Sequence, residues 1–413
     1  MMKKLRLRLL VALVLAGLCV PALRAEQFRF KYHQGDRFRV LTTVQEDVYV
    51  KPRGGVERLD HHAEIVNRIS VEITGMAGES GVHRAVFMTT ENSTSAATKR
   101  LFSYGEEYTS VFERDPRGRY TIGDDYFMPV VRNVPVFPEG SVEAGESWSA
   151  EGEEAHDLRR QFNIPGPFKA PFTAHYRYTG TAAAEDGRVL HVITVNYETE
   201  FMSPSPRQRG GAELPLVTRV VSSQTVYFDN ERGAIDHYSE KFEITLETTA
   251  GTVYRFQGVS RGETDEYDEP AAVREEAVRE RINGMDLENV DVLADPRGLT
   301  LRIEDIQFLP DSAVLRDSEK EKLQKIAAQV LKSFPNNDLL VTGHTARTGL
   351  PRNEQTLSEE RARAVADYLI ELGACDEYHV FTQGLGGTEP IAPNTTETGR
   401  ARNRRVEITI MDR

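Results

Sequence analysis

The run Val341-Thr342-Gly343-His344-Thr345-Ala346, followed by a helix-patterned stretch from Leu357 to Leu372, decides how the second half of this sequence folds. A short apolar strand runs into Gly343, and the chain loops through Gly349 and Pro351. A helix is predicted to open at Thr356-Leu357-Ser358-Glu359. Val365, Leu369 and Leu372 carry an apolar stripe at helical spacing, so this helix has one face to bury. Thr356 with Glu359 has the form of a capping box. The first turn of that helix puts Arg361 on the side of the strand's end.

Working outward, Asp295-Pro296-Arg297-Gly298 is a turn between two strand-like runs, residues 290–294 and 299–303. Ser318-Glu319-Lys320-Glu321 reads as a second capping box, opening a helix whose apolar side is Leu323, Ile326, Ala327, Val330, Leu331 and Phe334. A last strand is expected at 405–411. Strand, helix, strand, helix and two further strands predict an α/β sandwich with helices on one face of a mixed sheet. Beyond the helix lie Gly384-Leu385-Gly386, Pro390, Asn394 and Gly399-Arg400-Ala401-Arg402-Asn403-Arg404-Arg405-Val406-Glu407-Ile408.

These spaced motifs, in this order over roughly residues 288 to 411, resemble the C-terminal domain of the OmpA/Pal/MotB family. Its consensus reads G-H-T-D-x-x-G, N-x-x-L-S-x-x-R-A-x-x-V, G-x-G-x-x-x-P and G-R-x-x-N-R-R-V. Two positions depart from it: Ala346 stands where the family has Asp, and Glu354 where it has Asn, with Asn353 displaced by one. The resemblance implies a polar pocket that holds the diamino acid of the peptidoglycan stem peptide, with an Asp taking the ammonium and an Arg the carboxylate. Opposite charges on opposite walls suit a zwitterion, and the guanidinium fork fits a carboxylate. The resemblance maps that Arg onto Arg361. Gly343, Thr345, Leu357 and Ser358 also match, and Arg400 and Asn403 match the closing motif, which holds the last helix and strand together or reaches the rim of the pocket. Ala346 removes the anion, which weakens binding of the usual ligand unless another carboxylate compensates. Glu354, Glu359 and Glu360 are available for that role; equally, they stabilise the helix N-terminus by charge–dipole attraction. His344 is a family position and reads as a backbone organiser rather than a base.

The N-terminal half is read from the residues alone. Residues 37–50, 65–73, 86–87, 189–197, 217–228 and 242–249 are β-branched, partly alternating runs. Asp115-Pro116-Arg117-Gly118 and the segment 229–233 supply tight turns. An antiparallel sandwich or open barrel is expected over 26–264, interrupted by turn-rich segments at 129–152, around Trp148, and at 164–171, and by a mobile loop at 203–211. The predicted fold class is therefore α+β and multidomain. An acidic run, Asp265-Glu266-Tyr267-Asp268-Glu269, and a charged helix ended by Gly284 mark a linker over 265–287, before a final domain at 288–413.

Residues 1–25 read as a signal peptide: a basic start, an apolar run at 9–16 and a small Ala25 before Glu26. Ala16-Gly17-Leu18-Cys19 resembles a lipobox, although Leu18 is large for the position before the cysteine. The net charge is −13, and the five basic residues of the leader leave −18 on the rest, which argues against a nucleic-acid binder. Without the leader, Cys375 is the one remaining cysteine. His61-His62 beside Asp60 lacks a third ligand at metal-site spacing, so no metal or cofactor is expected. No nucleophile elbow, P-loop or H-E-x-x-H occurs. The reading is an exported, non-enzymatic envelope protein of the periplasm, at the outer membrane or cell wall. It associates with peptidoglycan and offers its β-rich region to protein partners. The alternative is a scaffold or adhesin-like protein whose OmpA-like domain has lost peptidoglycan binding.

Overall fold

The computed structural model describes residues 25–411 apart from 96–100, 106, 158–165, 204–213, 267–270, 296, 310–311, 335–336, 348 and 376–378. The leader with Cys19, most of the loop at 203–211 and the acidic run beyond Glu266 lie outside the described residues.

Among the described residues, the N-terminal part is one antiparallel sheet of 13 strands. In chain order these are β1 (Arg37–Lys51), β2 (Arg58–Ala77), β3 (Ser80–Ser95), β4 (Leu101–Tyr104) and β5 (Tyr108–Arg114). Then follow β6 (Tyr120–Ile122), β7 (Val131–Arg132), β8 (Ser147–His156) and β9 (Phe168–Ala183). The last four are β10 (Val189–Met202), β11 (Pro215–Asp229), β12 (Ala234–Thr248) and β13 (Val253–Glu266). The spatial order is β6-β5-β3-β2-β1-β13-β12-β11-β10-β9-β8-β7, with β4 beside β3. The sheet curls into a nearly closed, barrel-like form, the open-barrel branch of the expectation. Its two ends face each other: the Tyr120 N–H donates to Asn133 Oδ1 at 2.8 Å, and the Tyr108 hydroxyl donates to Asp157 Oδ2 at 3.2 Å.

Alternation explains the closure. Along β9, Phe172, Ala174, Tyr176 and Tyr178 are buried while His175 and Arg177 are exposed, so one face of the strand is inside. These side chains join Phe28, Phe137, Ile193, Val195 and Phe228 in one core. The segment before β1 closes it. Glu26 bridges to Val142, the Phe30 N–H donates to the Pro116 carbonyl at 2.7 Å, and the Lys31 N–H to the Gly233 carbonyl at 3.1 Å.

Two segments read as turn-rich contain strand. Trp148 lies in β8, stacked on Tyr176 at 5.2 Å between ring centroids, and its indole N–H donates to the Val136 carbonyl at 2.8 Å. Pro171 lies in β9 opposite Glu153. Charged residues and prolines hid these strands, because their pairing is set by the neighbouring strand rather than by local propensity.

The C-terminal part contains helices α1 (Ala271–Asn283), α2 (Asp317–Gln329), α3 (Pro351–Glu371) and α4 (Glu397–Asn403). Its strands are β14 (Val290–Asp295), β15 (Gly298–Glu304), β16 (Leu339–Gly343), β17 (Val380–Gly384) and β18 (Arg405–Met411). The sheet order is β14-β15-β18-β16-β17, mixed as expected: β16 and β17 run parallel and the other pairs antiparallel. One face packs Val341, Ile408 and Ile410 against Leu323, Ile326, Ala362, Val365 and Leu369 of the helices. Cys375 packs at the edge of this core. Helix α1, read from sequence as part of a linker, contributes Val278 and Ile282 to the same core. The opposite face carries Leu340, Phe381 and Met411.

Both capping-box expectations differ from the structure. Helix α3 starts five residues earlier than predicted, at Pro351, whose fixed φ suits a first helical position and whose missing N–H would have no partner there. Thr356 is thus inside the helix, and its hydroxyl donates to the Arg352 carbonyl at 3.1 Å. Helix α2 starts at Asp317, with Arg316 as its N-cap residue and no side-chain cap.

The two parts meet across a buried charge pair. Arg68 in β2 is 2% exposed and Asp338, just before β16, is 5% exposed; the guanidinium is ion-paired with the carboxylate and also donates to Thr90 Oγ1 at 3.0 Å.

Candidate functional site

The ends of β16 and β17 form the floor of the candidate site, and the first turns of α3 form its wall. Two glycines set how closely they approach. A Cβ at Gly343 would lie 2.2 Å from the Ser358 carbonyl oxygen, and one at Gly384 would lie 2.5 Å from the Glu359 nitrogen. Only a residue without a side chain lets the helix lie on the strand ends. Gly343→Ala should therefore cost about 1–3 kcal/mol, through forced separation of β16 from α3. Denaturant unfolding of the two proteins measures this; an unchanged midpoint would mean that the contact is loose.

The loop after Gly343 is pinned by its backbone. The His344 N–H donates to the Arg405 carbonyl at 2.9 Å and the Thr345 N–H to the Gly386 carbonyl at 2.8 Å. The buried Ser358 hydroxyl links both sides of the site: it donates to the Gln355 carbonyl at 2.7 Å and accepts from the Gly386 N–H at 2.9 Å. Ala346 is 5% exposed, so a methyl group occupies the position where the motif would place a carboxylate.

Glu354 is in the first turn of α3 but is not a solvated helix-end acid. It is 8% exposed, and its Oε1 accepts from the Gly349 N–H at 2.8 Å, tying the helix start to the loop that Ala346 begins. Its Oε2 lies on the Gly387 side, 3.0 Å from where a Cβ at Gly387 would be. Ser358 and Arg361 follow at four and seven residues, one face of the helix, with about 10 Å of axial rise from Glu354 to Arg361. The Arg361 guanidinium stacks over the Phe308 ring, 4.7 Å from its centroid, which fixes the plane of the fork. Leu357 is half-buried on this helix, and Glu359 and Glu360 are exposed. Glu354, Ser358 and Arg361 thus share one face of α3, with Glu354 tied to the loop at Gly349 and Arg361 lying over Phe308.

The closing motif does structural work at one edge. Asn403, 1% exposed, accepts from the Ile391 and Ala392 N–H groups at 2.8 and 3.0 Å, and donates to the Ala392 carbonyl at 2.8 Å and to Asn394 Oδ1 at 3.0 Å. Arg400 pairs with Glu397 at 2.7 Å and donates to the Asn394 carbonyl at 2.9 Å.

Sequence reading singled out no role for Glu407. In β18, where every neighbour is buried, it accepts from Arg302 Nε and from Arg405 Nε, both at 2.9 Å. His344 Nε2 stands 3.7 Å from its other oxygen, an electrostatic contact longer than a hydrogen bond. Burial on its own would raise the Glu407 carboxyl; the His344 ring and the Arg405 guanidinium outweigh it and hold it well below the usual carboxylate range. Burial lowers the His344 imidazole from its ordinary 6.5, partly offset by Glu407. Both shifts are depressions, so the unfolded chain takes up protons first. The stability that Glu407 contributes is present above its ordinary value of 4.5 and is lost as pH falls below it; acidification below 6.5 also costs stability through His344. Glu407→Gln should destabilise by about 3–5 kcal/mol at neutral pH, because two arginines lose their shared anion. The gap to wild type should narrow progressively as the pH falls below about 4.5. Urea unfolding across pH checks this; a gap independent of pH would remove the carboxylate from the explanation.

His61 and His62 make separate side-chain contacts, His61 with Asp60 at 2.9 Å and His62 with Asp47 on the paired strand.

Residues 307–404 match the model of the OmpA family. The chain is 42% identical over 105 residues to the peptidoglycan-binding protein ArfA of Mycobacterium tuberculosis, a match covering 25% of this chain and 32% of that protein. It is 37% identical over 139 residues to the probable lipoprotein YiaD of Escherichia coli, covering 33% of this chain and 61% of that one. Among solved structures, the cell wall anchor of the T6SS from Pseudomonas aeruginosa aligns at 34% identity over 33% of this chain and 97% of that chain, with a TM-score of 0.29. The chain spans about a third of the length of the first curated relatives it matches. The segment 307–404, with the glycine-floored loop and α3 at its centre, is an OmpA family domain, and the C-terminal part of this chain is OmpA-like.

Proposed function

We propose that the chain is a non-enzymatic envelope protein that associates with the peptidoglycan wall through its OmpA-like domain. Arg361 takes a carboxylate of the stem-peptide diamino acid, and Glu354 supplies the anion that Ala346 lacks. The observation that carries this reading is the burial of Glu354 against the loop. The Gly349 N–H fixes Oε1 of this carboxylate beside the loop, and an ionised carboxylate offers about four lone-pair sites in all. Support also comes from relatives whose names state peptidoglycan binding. In this reading the protein is exported by a leader at 1–25 and works in the periplasm at the outer membrane or cell wall. Residues 26–264 present a β surface to partners and residues 288–413 hold the wall. A second reading rests on the buried methyl of Ala346: the domain keeps its fold as a scaffold and no longer binds peptidoglycan.

Co-sedimentation with purified sacculi separates the two. The full chain should pellet with sacculi, and Arg361→Ala should stay in the supernatant while retaining the wild-type circular dichroism spectrum. Wild-type protein left in the supernatant, or Arg361→Ala pelleting equally, would favour the scaffold.

A further inference from the structure

The curled sheet encloses a second cavity that the OmpA-like domain does not touch. It measures about 610 Å³ and is walled by Phe38 and Val40 of β1, Ile69, Val71 and Ile73 of β2, and Ala85 and Phe87 of β3. This volume lies within the roughly 300–1,000 Å³ usual for small-molecule sites; the inner faces of the strands are apolar, and Lys31, Asp36, Arg37, Glu231 and Arg232 also line the cavity. Three polar groups converge at one end: Tyr32, His83 and Arg114. Exposed His33, Asp36 and Arg37 stand at the rim, so the cavity has a route to solvent.

Each polar group has an assigned hydrogen-bonding role. His83 Nδ1 lies 2.8 Å from the Gly81 carbonyl, which only accepts, so Nδ1 carries the proton. Burial, and then the charge of Arg114, hold this imidazole down to about 4, neutral at physiological pH. The Tyr32 hydroxyl is buried with no hydrogen-bond partner, and burial pushes its pKa up, so it remains a donor. The Arg114 guanidinium lies 3.9 Å from the Phe30 ring centroid and 5.0 Å from that of Tyr120. Aromatic faces hold the plane of the fork, Nε donates to the Gly118 carbonyl at 3.4 Å, and Arg114 makes no ion pair among the described residues. A half-buried cation beside an unsatisfied hydroxyl, at an apolar chamber, suits a planar anion with an apolar tail.

We infer that the barrel-like region binds a single-chain carboxylate amphiphile. Its carboxylate accepts from Arg114 and the Tyr32 hydroxyl, and its alkyl chain lies between the inner faces of β1, β2 and β3. This inference is independent of the peptidoglycan reading.

Dodecanoate and dodecanol, titrated calorimetrically into the full chain, test it. Wild type should bind dodecanoate at one saturable site, about ten-fold or more tighter than dodecanol, from one charge-assisted pair. Arg114→Gln should abolish that preference and leave dodecanol binding unchanged. Ala85→Phe, which fills the chamber from β3, should remove binding of both with the near-ultraviolet circular dichroism retained. Equal affinity of wild type for acid and alcohol, absence of saturable binding, or binding unchanged in a folded Ala85→Phe would each overturn the assignment. If Ala85→Phe does not fold, the head-group preference and its loss in Arg114→Gln still decide.

Discussion

Glu354→Gln is expected to lower the affinity of the full chain for a diaminopimelate-containing muropeptide by about 30-fold to several-thousand-fold. That corresponds to the roughly 2–5 kcal/mol lost when one partner of a buried charge pair is truncated. Gln keeps the acceptor for the Gly349 N–H and nearly the volume of Glu, so α3 should remain seated. The informative companion is Ala346→Asp in the Glu354→Gln background, which moves the anion from the helix to the loop position where the motif carries it. A regain of about ten- to a hundred-fold is expected, from one charge-assisted hydrogen bond of about 1.5–3 kcal/mol. Adding Arg361→Ala should cancel the regain, because the ligand's carboxylate then has no fork. Calorimetric titration of these variants gives each step. If Glu354→Gln is silent and Ala346→Asp alone gains, Glu354 serves only to anchor the loop.

The second large effect is expected at the contact between the two parts of the chain. Arg68→Ala or Asp338→Ala leaves one charge buried without its partner, a cost of about 3–5 kcal/mol. The loss should appear as separation of one cooperative unfolding transition into two, as the OmpA-like part and the barrel-like part stop supporting each other. Arg68→Met with Asp338→Leu should recover most of the loss, since apolar side chains of similar size carry no desolvation penalty. Calorimetric melting of the three proteins measures both statements. A single undiminished transition in Arg68→Ala would show that the pair does not couple the parts.

The fold was most legible where chemistry is local. The β16 run, the α3 stripe of Val365 and Leu369, and the turn at 115–118 each carry their pattern within a few residues, and the structure has them in those roles. Helix starts were less legible. Thr356 and Ser318 sit three residues before a Glu, yet Pro351 and Asp317 open the helices instead, because backbone geometry outweighed a side-chain cap. In the candidate site, Arg361 and Ser358 were singled out by the family resemblance, and both lie on α3. The burial of Glu354 could not be read from the sequence, since helix-end acids are usually solvated and only the fold brings Gly349 and Gly387 around this one. Arg68 and Asp338 lie 270 residues apart, and no local pattern links them. Glu407 left one trace, an acid between Val406 and Ile408 in a largely apolar strand run. The converging Tyr32, His83 and Arg114 left none, because three separate segments bring them together.

The pairing of opposite walls with a zwitterion is tested most directly by titrating the wild-type chain with one muropeptide in two forms. In the first the diamino acid's distal amine is free; in the second it is acetylated. The free amine should bind at a single site, and acetylation should weaken it by about 30-fold or more, because the ammonium that Glu354 would hold has gone. Equal binding of the two forms, or of neither, would contradict a site built from Glu354 and Arg361.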